Sequence, residues 1–154
     1  MTQPLTVHGI EGARTLPGRQ LGPTDWVEVT QEMVDRFADA TADHQWIHVD
    51  VERATKESPF GGPIAHGFLT LSLTPQLMPR LLQLTGFGMV VNYGTEKVRF
   101  PAPVPVGSRL RASGVVDSVT DVGGGVQLQT TLTFEVEGSA KPACVATIVV
   151  RQYV

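Results

Sequence analysis

The sequence holds a single cysteine, Cys144, among 154 residues, which excludes an internal disulfide and fits a reducing compartment. Its place in the apolar run Ala143 to Val150 reads as a buried thiol rather than a nucleophile. Positive charge is also scarce: 12 Lys and Arg against 15 Asp and Glu leave a net charge of -3. Such a chain has no general attraction for polyanions, so nucleic acid is not an expected partner. Nowhere do about 18 apolar residues run uninterrupted, so no membrane span is expected. Met1 to Gly12 lacks the basic end and apolar stretch of a secretory signal, and a cytoplasmic protein is the expectation. Glycine-rich nucleotide fingerprints are missing too, because Gly61-Gly62 and Gly123-Gly124-Gly125 lack the required spacing and strand-to-helix setting. Finally, no Asp or Glu occurs from Ala65 to Leu84.

What is present is a globular composition, 42% hydrophobic and 18% charged, enough for one core in a single domain over 1–154. Residues 1–24 are rich in Gly and Pro and read as an irregular lead-in. Trp26 to Val29 suits a short strand. Thr30 can cap a helix over 31–41, where Met33, Val34, Phe37, Ala38 and Thr41 share a face. Asp50 can cap a second helix over 51–57, which must end before Pro59. From Ile64 to Leu84 apolar residues cover nearly the whole helical circumference, which predicts a buried helix with a kink or break near Pro75.

Everything after Gly86 is strand-like: Met89 to Asn92, Glu96 to Phe100, Leu110 to Val119, Val126 to Val136 and Cys144 to Tyr153. In the fourth of these, Val126, Leu128, Thr130, Leu132, Phe134 and Val136 share one face. The Gly123-Gly124-Gly125 turn pairs it with the strand before it. Helices followed by a meander predict an α+β fold, with an antiparallel sheet wrapped around the buried helix.

The densest polar cluster is Asp43-His44-Gln45-Trp46-Ile47-His48-Val49-Asp50, on the connection between the first two helices. Three readings compete for it. Asp43 and Asp50 can be helix-end residues with both histidines in solvent. His44 and His48, four apart, can bind a metal, but only on a helix, and no further ligand pair accompanies them. Asp43 and His48 can instead hold one water between a carboxylate and an imidazole that titrates near neutrality.

Asp43-x-x-x-x-His48-x-Asp50 followed by Ile64-Ala65-His66-Gly67-Phe68 resembles the hydratase signature of MaoC-type dehydratases. Asn92-Tyr93-Gly94, Val98-Arg99-Phe100-Pro101-Ala102-Pro103-Val104 and Gly107-Ser108 resemble the strand segment that follows it in that family. The resemblance covers roughly residues 25 to 112. Where the commoner pattern has Asn and Pro between the catalytic pair, this chain has Gln45 and Trp46, and so is similar to the branch related to nodulation protein N.

The resemblance implies the hot-dog fold, with a central helix from 65 to about 82, and a homodimer that admits acyl-CoA near the subunit interface. It implies an R-specific enoyl-CoA hydratase that adds water to a trans-2-enoyl thioester carried by coenzyme A or by an acyl carrier protein. Asp43 and His48 would be catalytic, and the Gly67 N–H would receive the oxyanion. Gln45, His66 and Asn92 are candidates for substrate binding, although His66 also suits a structural hydrogen bond and Asn92 a strand-end turn. Arg99, Arg109 and Arg111 are candidates for the coenzyme A phosphates. No metal and no cofactor beyond the substrate's own coenzyme A is implied. Two rivals share the fold: a thioesterase, disfavoured by the missing carboxylate between Ala65 and Leu84, and a non-catalytic acyl-binding or assembly subunit.

Overall fold

A computed structural model of the chain describes residues 3–154. In chain order its elements are β1 (Leu5–His8), α1 (Gly9–Ala13), β2 (Gln20–Leu21), β3 (Val27–Glu28), α2 (Gln31–Thr41), α3 (Trp46–Val49) and α4 (Val51–Glu57). Next come α5 (Gly67–Ser72), α6 (Thr74–Leu77), a 3₁₀ turn at Met78–Arg80, β4 (Leu82–Thr85), β5 (Met89–Arg99), β6 (Arg109–Val122), β7 (Gly125–Val136) and β8 (Cys144–Tyr153).

The alternation in β7 organises the sheet. Val126, Leu128, Thr130, Leu132, Phe134 and Val136 are buried, while the residues between them reach the outer face. One edge of β7 pairs antiparallel with β6 and the other with β8, and β5 follows at the outer edge. The short β2 and β3 both line the far edge of β6. Val122 faces Gly125 across a two-residue turn in which Gly124 has φ +80, a backbone state that glycine adopts without penalty. Leu69, Leu73 and Leu77 of the helical layer pack with Leu110, Val116, Leu132 and Phe134 of the sheet in one core.

Three expectations need correction. The central helix does not run from 65 to about 82. It starts at Gly67, breaks at Leu73, as expected close to Pro75, resumes as α6 and yields to β4. Pro75 has no N–H for the Leu71 carbonyl one turn back, and the Thr74 hydroxyl donates to that carbonyl at 2.7 Å instead. The helix is also not buried all round, since Phe68 is 70% exposed in the single chain. Its ring meets Phe100 edge-on at 6.0 Å.

The lead-in over 1–24, whose first two residues lie outside the described ones, is not irregular: β1 pairs in parallel with β4. That partner lies 77 residues away at each matched position, as with Leu5 and Leu82, so no local pattern announces it. Last, the expected strands Met89 to Asn92 and Glu96 to Phe100 are one strand, β5, whose register with β8 slips twice, between Asn92 and Gly94 and between Thr95 and Lys97. Among the described residues no helix is long and apolar enough to cross a membrane. Cys144 is fully buried in β8 and burial pushes its thiol up to about 11, so it is a packing residue.

Candidate active site

Two helix caps place the polar cluster. The Thr30 hydroxyl accepts from the Met33 N–H at 3.2 Å and opens α2, and Ala42 closes it in the left-handed conformation at φ 60. The Asp50 carboxylate accepts from the Arg53 N–H at 3.0 Å and opens α4. Between these caps Asp43, His44 and Gln45 form a loop, and Trp46–Val49 make one helical turn, α3. Caps of this kind are typically worth about 1 kcal/mol each.

His48 is buried, at 7% exposure. Its Nδ1 lies 2.7 Å from the Ile64 carbonyl. A carbonyl only accepts, so Nδ1 carries the proton of the neutral ring and Nε2 is left with a lone pair. The Ile64 N–H donates back to the Ile47 carbonyl at 3.0 Å, and the His48 carbonyl accepts from the Gln31 amide at 2.8 Å. The imidazole is therefore clamped between α2 and the strand-like segment before α5. That segment is in turn tied to the 104–106 stretch through Ala65 N–H to Val104 O and Val106 N–H to Pro63 O.

His66, 3% exposed, donates from Nε2 to the Asp43 carbonyl at 3.0 Å and holds the loop against the start of α5. Its ring stacks on His48 with centroids 3.9 Å apart and planes at 27°. The side-chain ligand atoms of Asp43, His48 and His66 all lie within 4.8 Å of one another. The Asp43 carboxylate is half exposed, with Oδ1 3.5 Å from the Gln45 N–H and Oδ2 4.0 Å from His66 Nε2. Burial is the largest influence on His48 and holds its pKa below the usual imidazole value. The His66 ring pushes the same way, while the Ile64 carbonyl and Asp43 oppose it.

Each candidate from the sequence now has a place. Asp43 and His48 come together, and His66 joins them in the structural hydrogen-bonding role expected of it. His44 does not, because its Nε2 pairs with Asp39 at 2.9 Å on the surface. The metal reading built on His44 and His48 therefore has no geometric basis. The trio itself presents donors of the right types, but two ring nitrogens are engaged by carbonyls. Gln45 is exposed and precedes α3 without a side-chain cap. Gly67 begins α5, and its N–H is one of the first-turn amides that helix geometry leaves without an intrahelical acceptor. A Cβ there would sit 3.0 Å from the Phe100 ring, so close packing also calls for glycine. Arg109 and Arg111 are paired with Glu137 and Glu135, which leaves Arg99 as the candidate phosphate ligand with no ion pair among the described residues.

A cleft of about 310 Å³ borders the trio's wall, lined by Ile64, Ala65, Gly67, Thr70 and Phe100. Asp43 and His48 are not in its lining. Further along the helical layer two connected grooves of about 410 and 610 Å³ share Thr74, Pro75, Asn92 and Ile148. Asn92 thus lines a cavity rather than ending a strand.

If His48 is the titrating base, the acid limb of activity lies below about pH 6.5. Its folded pKa is lowered, so the ring stays neutral in the fold at pH values where the unfolded chain already binds a proton. Activity should hold as pH falls through 6.5 and fade only below it, and stability should decline from the same point. A kcat/KM profile with its acid midpoint above 6.5 would refute the role of the buried ring.

Residues 13–137 match the MaoC like domain family. Over 147 residues the chain is 54% identical to 3-hydroxyacyl-thioester dehydratase Z of Mycobacterium tuberculosis, covering 95% of this chain and 97% of that one. It is 48% identical over 135 residues to Nodulation protein N of Rhizobium leguminosarum bv. viciae, covering 84% and 81%. Among solved structures, the (R)-hydratase from A. caviae involved in PHA biosynthesis superposes with a TM-score of 0.66 at 25% identity, over 87% of this chain and 94% of that one. A sheet wrapped on a short helix, with an Asp–His pair beside its amino end, thus goes with a family match over most of the length, and the chain belongs to the MaoC-like dehydratase family, as an enzyme of the hot-dog fold.

Proposed function

We propose that the protein is an R-specific enoyl-CoA hydratase, reversibly converting a trans-2-enoyl thioester to the (R)-3-hydroxyacyl thioester in the cytoplasm. The observation that carries this reading is the convergence of the Asp43 carboxylate and the His48 imidazole within 4.8 Å beside the start of α5. The names of the mycobacterial relative and of the A. caviae structure support the thioester class and the stereochemistry.

Water lies between the Asp43 carboxylate and His48 Nε2, the nitrogen without a proton. Nε2 takes one proton as the water oxygen bonds to C3. The C2–C3 π pair moves toward the thioester carbonyl, whose oxygen gains charge and is met by the Gly67 N–H. The imidazolium then returns its proton to C2 on the same face, so one water is added and the ring ends neutral. Coenzyme A enters as part of the substrate, an acyl carrier protein thioester is the alternative donor, and no metal or separate cofactor takes part. His66 holds the loop through the Asp43 carbonyl, the exposed Gln45 side chain contacts substrate, and Asn92 lines the acyl groove.

The working enzyme is a homodimer. β5 is the outer strand of the sheet and exposes Met89, Val90, Val91 and Tyr93, with Phe100 and Phe68 nearby. An apolar strand edge of this kind favours pairing with another chain. Val91→Lys should shift the protein from dimer to monomer in sedimentation velocity and lower activity with it. An unchanged dimer would place the interface elsewhere.

The reaction is read directly by mixing protein with crotonyl-CoA and longer trans-2-enoyl-CoAs and following loss of the conjugated thioester absorbance. Chiral analysis of the product must then return the R isomer. Release of free thiol instead would establish a thioesterase, and silence at every chain length would leave an acyl-binding subunit.

A further inference from the structure

In three neighbouring strands a mostly apolar wall carries a polar residue. In β8 the row Cys144, Ala146, Ile148, Val150 ends in Gln152. In β7 the row of Val126, Leu128, Leu132, Phe134 and Val136 is interrupted by Thr130. On the cavity side of β5, Val90 is followed by Asn92. All three polar residues line the same groove of about 610 Å³, whose inner walls include Met78, Leu82, Leu128, Ile148 and Val150, with the half-buried Thr74 and the exposed Gln83 and Thr85 as its other polar lining. Strand register sets them on a diagonal: Gln152 lies across from Val90 and Val126, Asn92 across from Val150, and Thr130 across from Ile148.

Gln152 is the residue that demands a ligand. It is 8% exposed, and its Oε1 is buried with no hydrogen-bond partner. A buried amide oxygen left unpaired is destabilising, and native interiors seldom leave such groups unmatched. A leucine there would continue the apolar row at no such cost. The Thr130 side chain, 2% exposed, is a second polar position midway along the same wall.

We propose that this groove takes an acyl group that itself carries a hydroxyl remote from the thioester, and that Gln152 determines that preference. A hydroxyl both donates and accepts, so it satisfies either end of the amide. A plain alkyl chain would fill the apolar walls and leave the amide unpaired. Sites built to bond a substrate hydroxyl discriminate far more strongly than apolar walls do. The inference rests on the acyl-thioester reading above for the identity of the ligand, but not on the chemistry of Asp43 and His48.

The test compares pairs of trans-2-enoyl-CoAs of equal length, one ending in a methyl and the other in a hydroxyl, across a series of lengths. The saturated counterparts are titrated calorimetrically in parallel. At the length that reaches Gln152, the hydroxylated member should be favoured by roughly tenfold or more in kcat/KM, and Gln152→Leu should erase or reverse the ratio. The variant should melt no lower than the parent, because it restores the apolar row. A drop in melting temperature with the ratio intact would assign Gln152 a purely structural role and overturn the proposal. If plain chains are hydrated as well as hydroxylated ones at every length, the proposal fails while the hydratase reading stands. If no enoyl thioester is hydrated, calorimetry decides: a preference for the hydroxylated saturated chain that Gln152→Leu removes sustains the proposal alone, and equal or absent binding ends it.

Discussion

Asp43→Asn should lower hydration turnover by about a hundred-fold or more, because the carboxylate holds the attacking water against His48 and offsets the positive charge that ring gains in the transition state. The substitution is nearly isosteric, and the carboxylate makes only long contacts, to the Gln45 N–H at 3.5 Å and to His66 Nε2 at 4.0 Å, so folding should be untouched. His48 requires a more careful variant. Truncation to alanine would leave the Ile64 carbonyl without its donor and open a hole in a buried site. His48→Asn keeps a donor near the position of Nδ1 and removes Nε2, so it separates the base from the clamp. Its loss of turnover should match that of Asp43→Asn with melting temperature little changed. The double variant should fall hardly further than either single one, because the two residues act on the same water. Retained turnover in Asp43→Asn, with an intact fold, would remove the carboxylate from the mechanism.

Phe134→Ala should give the largest loss of stability, about 3–5 kcal/mol in denaturant titrations. Phe134 is fully buried on the inner face of β7, lies across from Ala112 and Cys144 and is the largest of the fully buried side chains. Small partners on both neighbouring strands cannot expand to refill the space, so a cavity should persist. Thr133→Ala, one residue along and on the outer face, should change stability by less than about 0.5 kcal/mol. A Phe134→Ala loss below about 1 kcal/mol would mean that the sheet and helical layer are packed differently.

Within the site, the structure divides labour in a way that composition does not. His48 and His66 are equally histidine in the sequence, yet each is bound to a carbonyl through a different nitrogen. That difference leaves His48 Nε2 free for solvent chemistry, while His66 Nδ1 is buried without a partner. His44, nearest to Asp43 in sequence, stays outside because its ring is held by Asp39 on the surface.

The sequence by itself determined whatever depends on neighbours in the chain. The helices at 31–41 and 51–57 with their Thr30 and Asp50 caps, the inward row of β7 and the glycine turn before it all follow from local propensity and period, and the structure contains them as read. The polar cluster between two capped helices stands out in the sequence but leaves three readings open there, and the resemblance to MaoC-type dehydratases is what singles out Asp43 and His48. Tertiary structure decided the rest, because the controlling contacts join residues far apart. These are the parallel pairing of β1 with β4, the fusion of two expected strands into β5, and the seating of His66 on the Asp43 carbonyl. The break near Pro75 is also legible, because Leu71, Thr74 and Pro75 are neighbours in the chain, whereas Gln152 meets its groove only once three strands lie side by side.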